Sequence, residues 1–319
     1  MLRQKLLLHL FIVFAFSQCN NDTLTPDKEN KRWIRMSDAN LIGCISIIDN
    51  YLWFMGSETI YTSTDHGATL NVKMNGFTVK YGSIPVAYVY GICKDEKDYM
   101  YCADVFKGVY RSIDRAVSWQ LIGLSDSNYS TRTIISDYNG KLYAGSWSGL
   151  YISSDNGITW KNIYREKPDT VIQSIAITKS NSILISTFHG TVKMSTNGGT
   201  SWKTSYSAKN IGQLYKSKSG YIYVPSDTIL LRSFDGNQWE EVYHNGYSIM
   251  EDVAEAPDGS LFIGTWNGLL YSDSALTNWR VDKDLPKGFE VLHLEIDDDG
   301  YGYVGSQGKG AYRSLTPLH

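Results

Sequence analysis

GLYISSDNGITW, residues 149–160, is the clearest copy of a phrase that recurs along a chain of 319 residues. The phrase runs from an apolar or aromatic stretch through a Ser and a polar turn to a Trp. Its lead serines, at intervals of 38 to 49 residues, are Ser63, Ser112, Ser153, Ser195, Ser233, Ser272 and Ser314. Copies at about 42 residues match the period of propeller blades. The sequence therefore predicts an all-β, seven-bladed propeller of four-stranded antiparallel blades.

The composition agrees with a fold rich in sheets and turns. The chain holds 9 Trp, 23 Tyr and 10 Phe, with 28 Gly against 7 Pro. Aromatic side chains suit half-buried pleated surfaces, and Gly supplies the positive φ of tight turns. A hydrophobic content of 42% excludes a disordered tail, and 30 basic against 33 acidic residues leave no cationic excess. We expect no nucleic-acid partner.

Each repeat divides into four strands, A to D. In the third repeat we predict strand A over 131–136, B over 141–146, C over 149–154 and D over 159–164. The seventh repeat has strands A to C over 290–315 but no strand D. Residues 31–36 (KRWIRM) match the D pattern. The N-terminal strand is therefore predicted to complete the last blade and close the ring, which removes free sheet edges.

The phrase S-x-D-x-G-x-T-W resembles the Asp-box, or BNR repeat, of sialidases, sortilin-type receptors, xyloglucan-cleaving glycosidases and photosystem II assembly factors. The resemblance covers nearly all of the mature chain and implies the propeller fold, but these relatives have unrelated activities. In such a box the Asp and Ser side chains accept N–H groups of their own turn, and Gly takes positive φ. We therefore expect structural rather than catalytic roles for Asp65, Asp114, Asp155 and Asp235.

The first 18 residues are predicted to be a secretory signal peptide. A cationic start precedes an apolar run over 6–16, which is shorter than the roughly 20 residues of a transmembrane helix. Cys19 follows and resembles the lipobox cysteine of bacterial lipoproteins, although Gln18 stands where a small residue is usual. Residues 15–17 (AFS) offer an alternative site for an ordinary signal peptidase.

We thus divide the chain into a signal peptide over 1–18, a polar tether over 19–30 and a propeller domain over 31–319. Lipidation of Cys19 would anchor the domain at the bacterial cell envelope, on the outer membrane or cell surface. Cleavage without lipidation would make the protein periplasmic or secreted. We expect a monomer.

The connections from strand B to strand C form the candidate binding site. In a propeller they emerge, with the D–A connections, on one face around the central channel, while the box turns lie on the opposite face. Four B–C tips carry an aromatic residue, namely Phe106, Trp147, Phe188 and Trp266. Such rings beside small polar residues can stack on sugars or grip a peptide. Packing between blades is the alternative explanation.

A long D–A connection adds candidates on the same face. The first repeat interval is the longest, and its excess falls over 75–87 (NGFTVKYGSIPVA). Long loops on rigid scaffolds are where function gathers. Phe77, Lys80 and Tyr81 therefore join the candidate site.

No pattern predicts a metal or a cofactor. His189, at the fourth B–C tip, joins the ligand-binding candidates, and His244 and His293 could approach the same face or the channel. No H-x-H or carboxylate spacing accompanies them. The acidic run 297–299 resembles a calcium loop but lacks the downstream Glu of an EF-hand, so a solvated hairpin turn is the better interpretation.

The remaining cysteines are predicted to be small hydrophobic residues of the core. Cys44, Cys93 and Cys102 show no C-x-x-C spacing and lie in apolar segments. Cys93 and Cys102, across one hairpin, are the pair that a disulfide could join.

Sialidase activity is not supported by the motifs. A sialidase needs an arginine triad and an early F/Y-R-I/L-P, and no such tetrapeptide is present. Arg132 is the one arginine in a predicted inner strand. Loop acids such as Asp126, Asp169 and Asp284 leave a glycosidase or lyase open, but no defined spacing pairs them.

The sequence thus favours a noncatalytic envelope module that recognises a glycan or a protein through its loop face. The alternative is a carbohydrate-active enzyme with acids on that face, which needs two carboxylates about 5 to 10 Å apart across a pocket. An assembly factor would instead present a broad, flat patch there.

Overall fold

The computed structural model describes residues 32–39, 42–56, 58–78, 80–81, 84–125, 130–166, 170–246 and 248–318. These residues form seven four-stranded antiparallel sheets and no helix. The first strands of neighbouring sheets contact one another, so they line the centre of a ring. The predicted seven-bladed β-propeller is therefore confirmed.

Strands are numbered along the chain, beginning with β1 (Trp33–Ser37). Blade 1 contains β2 (Ile42–Ile48), β3 (Tyr51–Gly56), β4 (Thr59–Ser63) and β5 (Asn71–Val72). The connection that follows contains the short pair β6 (Lys80–Tyr81) and β7 (Ile84–Pro85). Blade 2 contains β8 (Val89–Lys94), β9 (Met100–Asp104), β10 (Gly108–Ser112) and β11 (Gln120–Gly123). Blade 3 contains β12 (Thr131–Ser136), β13 (Leu142–Ser146), β14 (Gly149–Ser153) and β15 (Lys161–Tyr164).

The remaining blades follow the same order from the inner to the outer strand. Blade 4 contains β16 (Ile172–Ile177), β17 (Ile183–Thr187), β18 (Thr191–Ser195) and β19 (Lys203–Ser207). Blade 5 contains β20 (Tyr215–Lys216), β21 (Ile222–Ser226), β22 (Ile229–Ser233) and β23 (Glu240–His244). Blade 6 contains β24 (Met250–Glu255), β25 (Leu261–Thr265), β26 (Gly268–Tyr271) and β27 (Arg280–Val281). Blade 7 contains β28 (His293–Ile296), β29 (Gly302–Ser306) and β30 (Gly310–Ser314).

The N-terminal strand closes the ring as predicted. β1 pairs antiparallel with β30, with Trp33 opposite Ser314, and supplies the fourth strand of blade 7. The backbone N–H of Leu315 extends the pairing by donating to the carbonyl of Arg32. Blade 7 therefore joins both ends of the described chain.

Packing between blades accounts for the apolar strands. The second strand of blades 2 to 7 is buried along its whole length, because it packs on neighbours at both faces. Seven buried clusters among the described residues each combine two successive blades. One of them joins Phe54 of blade 1 to Tyr303 of blade 7. The hydrophobic contacts thus continue around the ring.

The turn between strands C and D holds its own polar side chains, as blade 3 illustrates. The Ser153 hydroxyl donates to Asp155 Oδ1 over 2.7 Å and accepts the N–H of Gly157 over 2.9 Å. Asp155 also accepts the N–H of Thr159 over 2.9 Å, and its pKa is lowered to about 2, with the Thr159 hydroxyl the largest cause. Gly157 has a φ of +83°. The carboxylate is therefore engaged in its own turn, as expected.

The serine hydroxyl also donates to the aspartate in the corresponding turns of blades 1, 2 and 5. Asp65 and Asp114 accept their serine hydroxyl over 2.6 Å, and Asp235 does so over 3.1 Å. The blade 6 turn departs from this plan, because Asp273 directly follows its lead serine. Its carboxylate nevertheless accepts the N–H of Thr277 over 2.9 Å. The carboxylate contact is therefore kept although the spacing has changed.

The other structural predictions have clear outcomes. Asp297 accepts the N–H of Tyr301 over 2.8 Å within a hairpin turn, as the turn interpretation requires. Cys44, Cys93 and Cys102 are free thiols, and Cys102 is buried. Among the described residues no helix is long and apolar enough to cross a membrane. The signal peptide, the tether and Cys19 lie outside the described residues.

Candidate functional site

The four aromatic tips lie on the face where strands B and C connect, called here the tip face. Phe106, Phe188 and Trp266 are 52%, 50% and 50% exposed, while Trp147 is partly buried. Trp147, Phe188 and Trp266 directly follow the last residue of strand B. Phe106 comes one residue later, because Asp104 Oδ1 accepts the N–H groups of Phe106 and Lys107. Its ring meets the edge of Tyr88, with centroids 4.7 Å apart.

The inner strands share a bulge at the same face. In blades 1, 2, 3, 4 and 6 the pairing of strand A with strand B shifts register beside the tip. The residue inside each shift is left out of the ladder, which is the pattern of a β-bulge. In blades 5 and 7 the corresponding residues, Gly212 and Leu292, donate their N–H to strand B. One bulge-position residue per blade therefore stands at the mouth of the channel.

The type of residue at the bulge position correlates with the type of residue at the tip of the same blade. Blades with an aromatic tip carry Tyr90, Arg132, Gln173 and Glu251 at this position, a set called here the mouth residues. Blades 1, 5 and 7, whose described tip residues are not aromatic, carry Gly43, Gly212 and Leu292. At Gly43 and Gly212 a Cβ would lie 2.2 Å and 2.3 Å from a backbone oxygen of the next blade. An aromatic tip together with a large polar or aromatic bulge-position residue thus occurs in four blades of the described structure.

Three of the four mouth residues contact an aromatic side chain or one another. Glu251 Oε1 accepts the indole N–H of Trp266, the tip residue of the same blade, over 2.5 Å. Burial raises the pKa of Glu251, and this hydrogen bond offsets part of the rise. The guanidinium of Arg132 lies over the Tyr90 ring, 5.2 Å from its centroid, at the distance of a cation–π contact. Burial lowers the pKa of Arg132.

Further along the channel, blades 6 and 7 supply two more carboxyl groups. Asp252 accepts the N–H of Leu294 over 3.0 Å and that of Val253 over 2.9 Å, so it links the inner strands of these blades. Burial raises the pKa of Asp252 to about 7. Burial, and then the charge of Asp252, raise the pKa of Glu295 to about 8. This wall of the channel therefore carries acids that hold their protons near neutral pH.

His293 is a neutral channel residue. Its Nδ1 lies 3.4 Å from Nε2 of Gln213. Burial, and then the positive charge of Arg132, lower the pKa of His293 to about 4. A group of three or more side chains able to hold a metal does not occur among the described residues. The channel is thus polar, with a cationic side at Arg132 and an acidic side at blades 6 and 7.

The remaining sequence candidates differ in where they lie. The Phe77 ring is 4% exposed and packs on Tyr110 with centroids 4.4 Å apart, so it belongs to the core between blades 1 and 2. The backbones of Lys80 and Tyr81 pair in β6, and their side chains lie outside the described part. His189 is exposed at the blade 4 tip.

One further histidine candidate and one of the loop acids lie within the described residues. His244 Nε2 lies 3.1 Å from Oγ1 of Thr228, at the end of an outer strand. Asp284 is partly buried beside Asp282, whose Oδ1 accepts the Asp284 N–H over 2.8 Å. Asp126 and Asp169 lie outside the described residues.

Sequence reasoning missed most of the mouth residues, since only Arg132 was singled out. The signal that could have found them is positional. Each precedes by two residues an aliphatic core residue of strand A, as Arg132 precedes Ile134 and Glu251 precedes Val253. When the repeats are aligned on that aliphatic residue, the bulge-position residues also fall at one shared position, two residues earlier.

A closed ring of seven four-stranded blades defines the class of this protein as a seven-bladed β-propeller. No family model matches the sequence, and no curated protein matches it. Solved structures do match it, at sequence identities of 10% to 17% for the three described here. At such identities the likeness shows the fold alone.

The extracellular domain of BT4673 from B. thetaiotaomicron, described as a one-component system, aligns with a TM-score of 0.70 and 12% identity. The alignment covers 89% of this chain but 42% of that one, so this chain spans about two fifths of that domain. YCF48 bound to D1 peptide aligns with a TM-score of 0.69 and 17% identity, covering 92% of this chain and 99% of that one. Virginiamycin B lyase from Staphylococcus aureus aligns with a TM-score of 0.70 and 10% identity, covering 88% and 97%.

Proposed function

We propose that the chain is a noncatalytic binding or assembly module of the bacterial cell envelope, which recognises a glycan or a protein through its tip face. The main supporting observation is that aromatic tip residues and large mouth residues occur in the same four blades. Blades with an aromatic tip also present a large side chain at the bulge, and three of the four rings are half exposed. A flat apolar ring beside a hydrogen-bonding group suits the alternating apolar and polar surface of a sugar or peptide.

The carboxylates of the turns on the opposite face support the same proposal. Asp65, Asp114 and Asp155 accept hydrogen bonds from their own turns, and their pKa values are lowered to about 2, mainly by side-chain hydroxyls. They are therefore unsuited to general acid catalysis at neutral pH. We interpret these turns as Asp-boxes, which stabilise blades and leave recognition to the other face.

An envelope location follows from the proposed N-terminal processing. We propose that Cys19 is lipidated after removal of residues 1–18 and that residues 19–30 tether the propeller to the membrane. The solved propellers that resemble this chain include extracellular domains of B. thetaiotaomicron proteins. Labelling with a fatty-acid analogue in a bacterial host tests the anchor. Wild type should incorporate the label, and a Cys19→Ser variant should not; equal labelling of both would refute the anchor.

A glycan array tests the tip face directly. Trp147→Ala and Trp266→Ala should each weaken binding to the glycans that wild type retains, because each removes a stacking surface. Phe234→Ala is the matched control, since its ring is 53% exposed but lies in a C–D turn on the opposite face. Unchanged glycan binding in both tryptophan variants would eliminate the stacking surface. Absence of binding to any glycan would favour a protein partner.

A second candidate function, a carbohydrate-active enzyme, has one observation in its favour. Asp252 and Glu295 have pKa values raised to about 7 and about 8, the range in which a carboxyl group can act as a general acid. Incubation of bound glycans with wild type and with Glu295→Gln separates the candidates. Product release by wild type and its loss in the variant would establish an enzyme, whereas intact glycans in both support a binding module.

A further inference from the structure

We infer that the mouth of blade 3 is a subsite for a carboxylate of an acidic sugar, held by Arg132 and Trp147. The inference rests on the proposed function and narrows it to a ligand class, a glycan that contains uronic acid. It follows from comparing blade 3 with blade 6, where the tip and the bulge position are occupied in the same way by Trp266 and Glu251.

In blade 6 the tip and bulge side chains form a hydrogen bond with each other, so neither needs a ligand. The indole N–H of Trp266 is a donor, and the carboxylate of Glu251 at the bulge accepts it. In blade 3 the corresponding residues are Trp147 and Arg132. Both are donors, and an arginine side chain has no acceptor atom. The pair in blade 3 therefore cannot satisfy itself, and an acceptor has to come from elsewhere.

The described part of the protein does not provide that acceptor. Trp147 Nε1 is buried and has no hydrogen-bond partner. Oγ1 of Thr131, the residue before Arg132, is also buried and without a partner, and Thr131 is 0% exposed. The ion pairs formed among the described residues do not include Arg132, whose guanidinium lies over the Tyr90 ring and whose positive charge also lowers the pKa of His293. An indole N–H, a hydroxyl and a guanidinium of one blade's tip and bulge thus form no hydrogen bond or ion pair among the described residues.

The acids of the channel are not available to neutralise Arg132. Glu251 is engaged by Trp266, and Asp252 is engaged by the backbone N–H groups of Leu294 and Val253. Both belong to blade 6, with Glu295 on blade 7, whereas Arg132 belongs to blade 3 of the seven-membered ring. Among the described residues the guanidinium therefore has an aromatic neighbour but no carboxylate counter-ion. Desolvated cations of this kind need a counter-ion, and a planar guanidinium matches a planar carboxylate in a bidentate contact.

The surroundings favour a sugar as the bearer of the carboxylate. Phe188 and Gln173 occupy the tip and bulge of blade 4, directly after blade 3 along the ring. The Phe188 ring is 50% exposed, and Gln173 is partly buried. A ring face and an amide suit the face and hydroxyls of a neighbouring sugar unit. Blade 3 would bind the carboxylate, and the Trp147 indole would turn so that Nε1 reaches a carboxylate oxygen. Blade 4 would bind the neighbouring sugar unit.

Calorimetry with two glycans of equal length tests the subsite. A tetragalacturonate should bind wild type about 10 to 100 times more tightly than its methyl ester, because the ester removes the charge-assisted hydrogen bonds. Arg132→Gln should abolish this preference. Trp147→Phe keeps a ring but loses the N–H, so it should weaken the acid while leaving the ester unchanged. Arg115→Gln is the control, since the Arg115 side chain is 86% exposed on the opposite face.

The outcomes separate this inference from the proposed function. Equal affinity of wild type for the acid and the ester would overturn the inference, and Trp147→Ala would then show whether neutral glycans still use the tip face. An acid preference that survives in Arg132→Gln would also overturn it. A wild type that binds no glycan on the array overturns the inference, whereas the proposed function then keeps its protein partner. Melting temperatures of all variants confirm that the losses compare folded proteins.

Discussion

Trp33 Nε1 donates a hydrogen bond to Oδ2 of Asp282 over 3.2 Å, across 249 positions of the sequence. The same oxygen receives Arg32 Nη1 over 3.1 Å, and Asp282 Oδ1 receives the backbone N–H of Asp284 over 2.8 Å. Trp33 is 1% exposed and belongs to the cluster between blades 6 and 7. Asp282 therefore attaches the closing strand of blade 7 to the connection that leaves blade 6.

Deleting residues 32–37 is expected to abolish cooperative unfolding. The deletion removes β1, exposes the edge of β30 and empties the position of Trp33 in the core. Differential scanning calorimetry of the deletion variant should show no single transition of the wild-type kind. An unchanged melting temperature would contradict closure of the ring by β1.

Asp282→Ala is expected to lower the free energy of unfolding by about 2–4 kcal/mol, because it leaves the buried Trp33 N–H without its acceptor and Arg32 without its counter-ion. Arg32→Ala should cost less, since the Arg32 side chain is 23% exposed and its loss leaves the Trp33 hydrogen bond intact. Urea unfolding of both variants measures the difference. Equal effects would mean that the indole hydrogen bond contributes little.

Asp155→Ala is expected to destabilise blade 3 by about 1–3 kcal/mol. The Thr159 N–H and the Ser153 hydroxyl lose their acceptor, and neither gains another within the turn. Ser154→Ala, one residue earlier and exposed, is the matched control and should change stability by less than about 0.5 kcal/mol. Chemical denaturation at neutral pH gives both values, and a control as damaging as Asp155→Ala would show that the turn tolerates no substitution.

Glu295→Gln is expected to stabilise the protein increasingly as the pH rises from about 4.5 to 8. The folded-state pKa of Glu295 is raised to about 8, by burial first and by Asp252 second, against about 4.3 for an unfolded chain. The folded state thus keeps a proton that the unfolded state loses, so wild-type stability from this group falls with rising pH. The advantage of the variant should grow by about 1–3 kcal/mol over this range.

Glu241→Gln provides the control for charge alone, because Glu241 is exposed on the outer strand β23. Its difference from wild type should stay nearly constant between the same two pH values. Thermal unfolding followed at several pH values measures both variants. A constant difference for Glu295→Gln as well would mean that Glu295 is ionised in the folded protein.

The repeats allowed the strands and the ring closure to be predicted because the C–D turn has a strong local signature. Ser153, Asp155 and Gly157 act within a few residues of one another, so their spacing in the sequence reports their contacts directly. The predicted strand over 149–154 corresponds closely to β14. Closure followed from the missing fourth strand, and Trp33 occupies the position that the repeat assigns to it.

The candidate site was harder to predict because it depends on register and burial. A bulge changes which face of a strand each later residue occupies, so periodicity alone could not place Glu251 or Gln173 at the channel mouth. Phe77 lies in a long connection, yet its ring fills the core between blades 1 and 2. Phe106 is displaced by one residue through the hydrogen bonds of Asp104. Each of these outcomes is set by contacts that are distant in sequence or specific to one blade.

The pairing of β1 with β30 also constrains how the protein is made. Of the described strands, β1 leaves the ribosome first and β30 last. The closing strand must therefore wait, without its partner, until synthesis of the whole ring is complete. Blades 1 to 6 can assemble during translation or export, but the ring cannot close until β30 is available to pair with β1. A nascent chain that keeps Trp33 exposed in this interval presents an apolar strand to any chaperone at the exit site, and a chain truncated before Ser314 remains open to proteolysis.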